Sequence, residues 1–71
     1  MPIVKIDMTS GRTPEMKREL INAVTAAVKD TLRLEAREVR VLLNEVDPAH
    51  WAIGGETLAE LDARAKAAAK S

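Results

Sequence analysis

The 71-residue chain has no cysteine, phenylalanine or tyrosine, a single tryptophan (Trp51) and a single histidine (His50). Without cysteine no disulfide can brace so small a domain. With one histidine and no thiol, the ligands of a structural zinc site are missing. Eleven basic and eleven acidic side chains cancel to a formal net charge of zero, so the basic excess that marks nucleic-acid binders is absent. No apolar run approaches the roughly 20 residues of a membrane-spanning helix. The N-terminus has no basic region followed by a long apolar stretch, the mark of a secretory signal. A cytoplasmic protein with no nucleic-acid or membrane partner is expected. A chain of this length makes one domain, residues 1–71, which alone buries roughly 60% of the surface its unfolded form exposes. Self-association is the remaining route to a sufficient core, and that core is built from Val, Ile, Leu, Met and Ala.

What is present reads as alternating strand and helix. Across residues 2–8, Val4, Ile6 and Met8 alternate with Lys5 and Asp7, the pattern of a strand with one buried face. Thr9, Ser10 and Gly11 then read as a turn. Thr13 caps a helix, Pro14 suits its first position and Glu15 its dipole. Met16, Leu20, Ile21, Val24, Val28 and Leu32 make one apolar stripe of about five turns. Lys17, Arg18, Asn22 and Lys29 fall on its other face, and the pattern fades over Arg33 to Ala36. Residues 38–46 form a second strand, with Val39, Val41 and Leu43 on one face and Glu38, Arg40, Leu42 and Asn44 on the other. Asp47 and Pro48 end it. The paired Gly54 and Gly55 predict a tight turn or short hairpin. Residues 57–70 are rich in good helix formers, with a weak apolar edge at Leu58 and Leu61. The fold class is α/β (α+β), a β-α-β unit with a right-handed crossover and parallel strands. Two strands under one helix leave a sheet face and both edges uncovered, so topology also predicts assembly.

Few residues carry chemistry. No phosphate loop, nucleophile elbow, metal motif or dinucleotide fingerprint occurs, which leaves acid–base work without a cofactor. Pro2 follows a Met1 that aminopeptidases remove before small residues. The freed nitrogen is a secondary amine, and neighbouring cations or an apolar pocket would lower its pKa from the ordinary α-amino value near ~8. A neutral amine at pH 7 is a competent general base. The plainer reading is a common Met-Pro start with no role. Arg12 is either a solvated turn residue or a carboxylate clamp. Arg40, inside the apolar run Val39 to Leu43, either faces solvent, pairs with a carboxylate of the chain, or clamps a substrate carboxylate through its planar fork. Trp51 suits core, interface or pocket wall, and His50 suits the surface.

In their joint order these features resemble the 4-oxalocrotonate tautomerase family, the short-chain group of amino-terminal-proline tautomerases. The resemblance covers residues 2 to about 56. It rests on Pro2-Ile3, Gly11-Arg12, Val39-Arg40-Val41 and Ile53-Gly54-Gly55-Glu56. It implies a β-α-β fold with a short hairpin, assembled as a homohexamer from three dimers, with the hairpin packed on a neighbouring subunit. It divides the domain into a core, residues 2–56, and a helical tail, residues 57–71. The resemblance also implies a keto-enol tautomerase that converts 2-hydroxymuconate to 2-oxohex-3-enedioate in aromatic hydrocarbon catabolism. Pro2 would then be the acid–base group, Arg40 the partner of the 2-hydroxy end and Arg12 the partner of the far carboxylate. Trp51 would be the pocket wall, with no cofactor and no metal, and the groups would come from different subunits. Two departures stand out: Trp51 where many members have Phe, and Thr9 where an apolar residue is common at the pocket mouth. Two alternatives remain. Relatives that hydrate or dehalogenate 3-haloacrylates need a carboxylate where this chain has Ile53. The other is a non-catalytic oligomeric module that binds a protein or small acid; its form as a ribbon-helix-helix DNA binder is disfavoured by the neutral charge, the second apolar strand and a first strand whose only cation is Lys5.

Overall fold

The computed structural model describes residues 1–70, with side chains through residue 68; Ser71, at the end of the expected tail, lies outside the described residues. Strand β1 spans Ile3–Thr9, helix α1 Pro14–Leu32, strand β2 Arg40–Val46, and strands β3 and β4 Ala52–Ile53 and Glu56–Thr57. Helix α2 spans Leu58–Lys70, and two single 3₁₀ turns occupy Ala36–Glu38 and Pro48–His50. β1 and β2 pair in parallel, from Ile3 opposite Arg40 to Thr9 opposite Val46. The expected α+β architecture is therefore observed.

The strand parities follow the sequence pattern. Val4, Ile6 and Met8 on β1 and Val41 and Leu43 on β2 are half-buried, while Ile3, Lys5, Asp7, Arg40, Leu42 and Asn44 are exposed. On α1, Leu20, Ile21, Val24 and Val28 are half-buried, but Met16 and Leu32 are more than half exposed. Their place in the apolar stripe is corrected by length: 19 residues of helix run about 28 Å, whereas the strands span about 20 Å, so both helix ends overrun the sheet. Lys17, assigned by period to the outer face, instead reaches back to Glu45, with Nζ and Oε1 2.7 Å apart. Glu45 shares the parity of Val41 and Leu43 and so stands on the helix side of β2.

Element ends shift for identifiable reasons. β1 begins at Ile3 because Pro2 has no N–H to donate, although its carbonyl still accepts from the Arg40 N–H at 3.0 Å. Thr9, expected in the turn, is the last paired residue of β1. Thr13 caps α1 through its hydroxyl, which accepts from the Met16 N–H at 3.2 Å. At the other end Arg33 adopts the left-handed conformation (φ 58°, ψ 53°), and the Leu34 N–H closes the helix on the Lys29 carbonyl at 2.8 Å. The second strand starts two residues later than its pattern predicts. Glu38 turns back to accept from the Glu35 N–H at 2.9 Å in a capping box.

The Gly54-Gly55 turn joins β3 to β4. Both glycines have positive φ, 60° and 90°, as a two-residue hairpin loop of this type demands. Thr57 ends β4 rather than opening α2; its hydroxyl accepts from the Glu60 N–H at 3.1 Å and caps the helix. Arg64 Nη1 and Glu56 Oε2, 2.8 Å apart, tie α2 to the hairpin.

Among the described residues only Val39 is buried, at 8% exposure, and none has a fully enclosed side chain. Ile3, Leu42 and Ile53 are each at least half exposed. A single chain thus folds a sheet and helix without closing a core.

Candidate active site

Two of the sequence-predicted residues meet at one end of the sheet. The Pro2 carbonyl accepts the Arg40 N–H at 3.0 Å, which places the residue just ahead of the first strand beside the start of the second. Pro2 is half-buried; Met1 before it is 81% exposed and reachable for removal. With Met1 in place the proline nitrogen is an amide without basicity, so the amine exists only in the processed chain.

Arg40 lies on the exposed face of β2. Its Nη1 donates to the Arg37 carbonyl oxygen, three residues back in the 3₁₀ turn. Among the described residues no carboxylate pairs with it, so the reading of Arg40 as half of an internal ion pair does not hold.

Arg12 sits at the opposite end of the sheet. Gly11 has φ 120°, a conformation open to glycine, and the chain leaves β1 there for the cap of α1. The turn folds Arg12 back on the strand: its Nη1 donates to the Thr9 carbonyl at 2.9 Å and to the Thr9 hydroxyl at 3.2 Å. Both arginines therefore use Nη1 to grip a carbonyl three residues earlier. Among the described residues neither Nε nor Nη2 of either arginine has a partner, which leaves a two-donor edge that matches a carboxylate.

Trp51 follows the 3₁₀ turn Pro48–His50, which is closed by the Asp47 carboxylate accepting from the Ala49 N–H at 2.9 Å. The Trp51 carbonyl accepts the Leu58 N–H at 2.8 Å, so the first turn of α2 pins the half-buried tryptophan. His50 is exposed. Arg12 follows the end of β1 and Trp51 follows the end of β2, whereas Pro2 and Arg40 stand where the strands start. About 20 Å of strand separates Arg12 from Pro2 and Arg40, so of the four residues one chain joins only Pro2 and Arg40.

Residue reading from sequence missed two connections: the Thr9 hydroxyl on Arg12, and the Leu58 N–H on Trp51. A hydroxyl three residues before an arginine across a glycine was the available signal for the first. The second pairs backbone groups that no side-chain pattern reveals. Among the described residues no cluster of His, Asp and Glu suits a metal ion.

Comparison with known proteins gives a consistent result. The family model described as "Tautomerase enzyme" matches residues 2–61. The chain is 37% identical to the 2-hydroxymuconate tautomerase of Bacillus subtilis (strain 168) over 62 residues, 87% of this chain and 100% of that protein. Among solved structures, a 4-oxalocrotonate tautomerase isozyme from Methylibium petroleiphilum superposes with a TM-score of 0.84 at 38% identity, covering 89% of this chain and 98% of that one. The heterohexamer 4-oxalocrotonate tautomerase from Chloroflexus aurantiacus J-10-fl gives 0.80 at 41% identity, covering 86% and 98%. With its β-α-β core, its Pro2–Arg40 pairing and a match running through residues 2–61, the chain belongs to the tautomerase family and is an isomerase of that family.

Proposed function

We propose that this tautomerase ketonises a dienol dicarboxylate of the 2-hydroxymuconate type, without a cofactor, in a site shared between copies of the chain. The observation that carries the proposal is the pairing of Pro2 with Arg40 at one sheet end while Arg12 is held ready at the other. β1 pairs only with β2 among the described residues. A second copy laid antiparallel along the free edge of β1 would bring the Pro2 end of one chain to the Arg12 end of the next. The open core, with Val39 alone buried among the described residues, gives the chain reason to assemble, and a structural relative is a heterohexamer. A homohexamer built as three dimers is the assembly proposed here, each copy a single domain with its core in residues 2–56 and a helical tail in 57–71.

In the reaction the Pro2 amine takes the proton of the 2-hydroxyl. The oxygen lone pair forms the C2 carbonyl, the double bonds shift to C3–C4, and the proton returns to C5 to give 2-oxohex-3-enedioate. Arg40 binds the 2-hydroxy end and stabilises charge on its oxygen. Arg12 binds the far carboxylate and draws electron density towards the carbon that is protonated. Trp51 walls the pocket. Such a dienol arises from ring cleavage, so the enzyme would serve cytoplasmic breakdown of aromatic compounds. The 3-haloacrylate alternative lacks its water-activating carboxylate, because Ile53 stands there and is 61% exposed. A purely non-catalytic module is set aside by the family assignment.

The test is the ultraviolet absorbance of 2-hydroxymuconate with protein shown by mass to have lost Met1. Rapid ketonisation that disappears in Pro2→Ala supports the proposal. An equal rate in wild type and Pro2→Ala refutes the proline base.

A further inference from the structure

The proposed chemistry leaves the Thr9 hydroxyl without a task, yet it is one of two Thr9 oxygens on Arg12. We infer that Thr9 is a positioning residue: it holds the Arg12 guanidinium so that the Nε–Nη2 edge faces the far carboxylate of the substrate, and it thereby sets the preference for dicarboxylates over monocarboxylates. The inference rests on the reading of Arg12 given above.

The geometry is specific. Nη1 lies 2.9 Å from the Thr9 carbonyl oxygen and 3.2 Å from its hydroxyl oxygen. A carbonyl alone tethers one donor and leaves the guanidinium plane free to rotate about it. The second acceptor restricts that rotation. Thr9 is itself well fixed. It is half-buried, pairs with Val46 as the last rung of the β1–β2 ladder, and its β-branched side chain is stiff at χ1. Arg12, by contrast, is an exposed, flexible side chain whose rotamer freedom must be given up when it clamps a ligand. Among the described residues no carboxylate pairs with Arg12; Thr9 alone restrains it. A guanidinium ordered before the ligand arrives loses less freedom on binding. With Nη1 committed to Thr9, the pair of parallel donors left is Nε and Nη2, which a carboxylate accepts bidentately. A ligand with no far carboxylate gains nothing from this arrangement, and so Thr9 discriminates.

The test uses Met1-processed protein and two non-reactive ligands, so that it does not depend on turnover. Muconate carries a carboxylate at each end of a diene, and sorbate carries one. Calorimetric titration of wild type, Thr9→Val, Thr9→Ser, Arg12→Ala and the Thr9→Val/Arg12→Ala double variant compares them. Valine keeps the shape and strand preference of threonine and removes only the hydroxyl. Thr9→Val is expected to weaken muconate binding roughly 3- to 10-fold, the net scale of one ordinary hydrogen bond, and to leave sorbate little changed. Thr9→Ser restores the hydroxyl and most of the muconate affinity. In the Arg12→Ala background the valine adds no further loss. An unchanged muconate affinity in Thr9→Val, beside a large loss in Arg12→Ala, overturns the role of Thr9 alone. Equal weakening of both ligands, or a valine effect that survives without Arg12, does the same. Muconate binding indifferent to Arg12→Ala overturns both this inference and the reading of Arg12.

Discussion

The Arg40 N–H donates to the Pro2 carbonyl at 3.0 Å, so the residue that would carry the base and one that would bind the substrate are joined through the backbone at the first rung of the sheet. Parallel pairing makes this inevitable once Ile3 sits opposite Arg40. The relationship does not depend on side-chain rotamers, and it survives any change in the arginine head group.

One consequence concerns the chain end. A variant with an extra, uncleaved residue ahead of Pro2 keeps that hydrogen bond, because the carbonyl is untouched, but converts the ring nitrogen to an amide. Its circular dichroism should match the processed protein, while ketonisation falls to background. A fully active variant whose intact mass confirms the extension would count against the amine as base.

Arg40→Ala tests the other half of the pair. Its backbone N–H remains, so strand pairing and the thermal midpoint should change little, since the side chain is exposed. The rate should fall by about 10²- to 10³-fold, the scale for losing a donor that stabilises developing charge. A large drop in stability with proportionate loss of activity would instead mark Arg40 as structural.

Trp51 gives a built-in reporter because the chain has no other tryptophan and no tyrosine or phenylalanine. It is half-buried and pinned by the Leu58 N–H. Saturating muconate should change its fluorescence in wild type and leave it unchanged in Arg40→Ala at the same ligand concentration. An unchanged emission in wild type that demonstrably binds muconate would place Trp51 away from the ligand.

At the end of α1, Arg33 holds a left-handed conformation that costs a non-glycine residue roughly 1–2 kcal/mol. Arg33→Gly should therefore stabilise the fold by up to about 1 kcal/mol, after the entropy that glycine adds to the unfolded chain. Denaturant unfolding at fixed protein concentration measures it, and a clear destabilisation would mean that the Arg33 side chain contributes contacts absent from this account.

Much of the fold was legible because period and burial agree. Val4, Ile6 and Met8 announce a strand face, Leu20 to Val28 a helix face, and Gly54-Gly55 a hairpin, each for a local reason. The helix end at Arg33 was not legible, because arginine is not a residue that signals a left-handed cap. The start of β2 was misplaced because Glu38 suits a strand edge and a capping box equally, and only the Glu35 N–H decides. Lys17 was misassigned because its partner, Glu45, is brought near by the sheet and not by the sequence. Of the candidate site, the residue types were legible, and so was the placing of Pro2 before the first strand and Arg12 after it. What spacing along the chain does not give is the register, which sets Ile3 opposite Arg40 and so puts Pro2 beside Arg40.

The separation yields the most direct measurement. If each site takes Pro2 from one copy and Arg12 from another, Pro2→Ala and Arg12→Ala proteins should each be inactive alone. Mixed oligomers, made by co-expressing the two variants with different tags and purified through both, should recover activity. Random mixing then restores about one site in four. An inactive mixed oligomer of native size and fold would contradict the shared site, because a site built within one chain would carry a substitution in every copy.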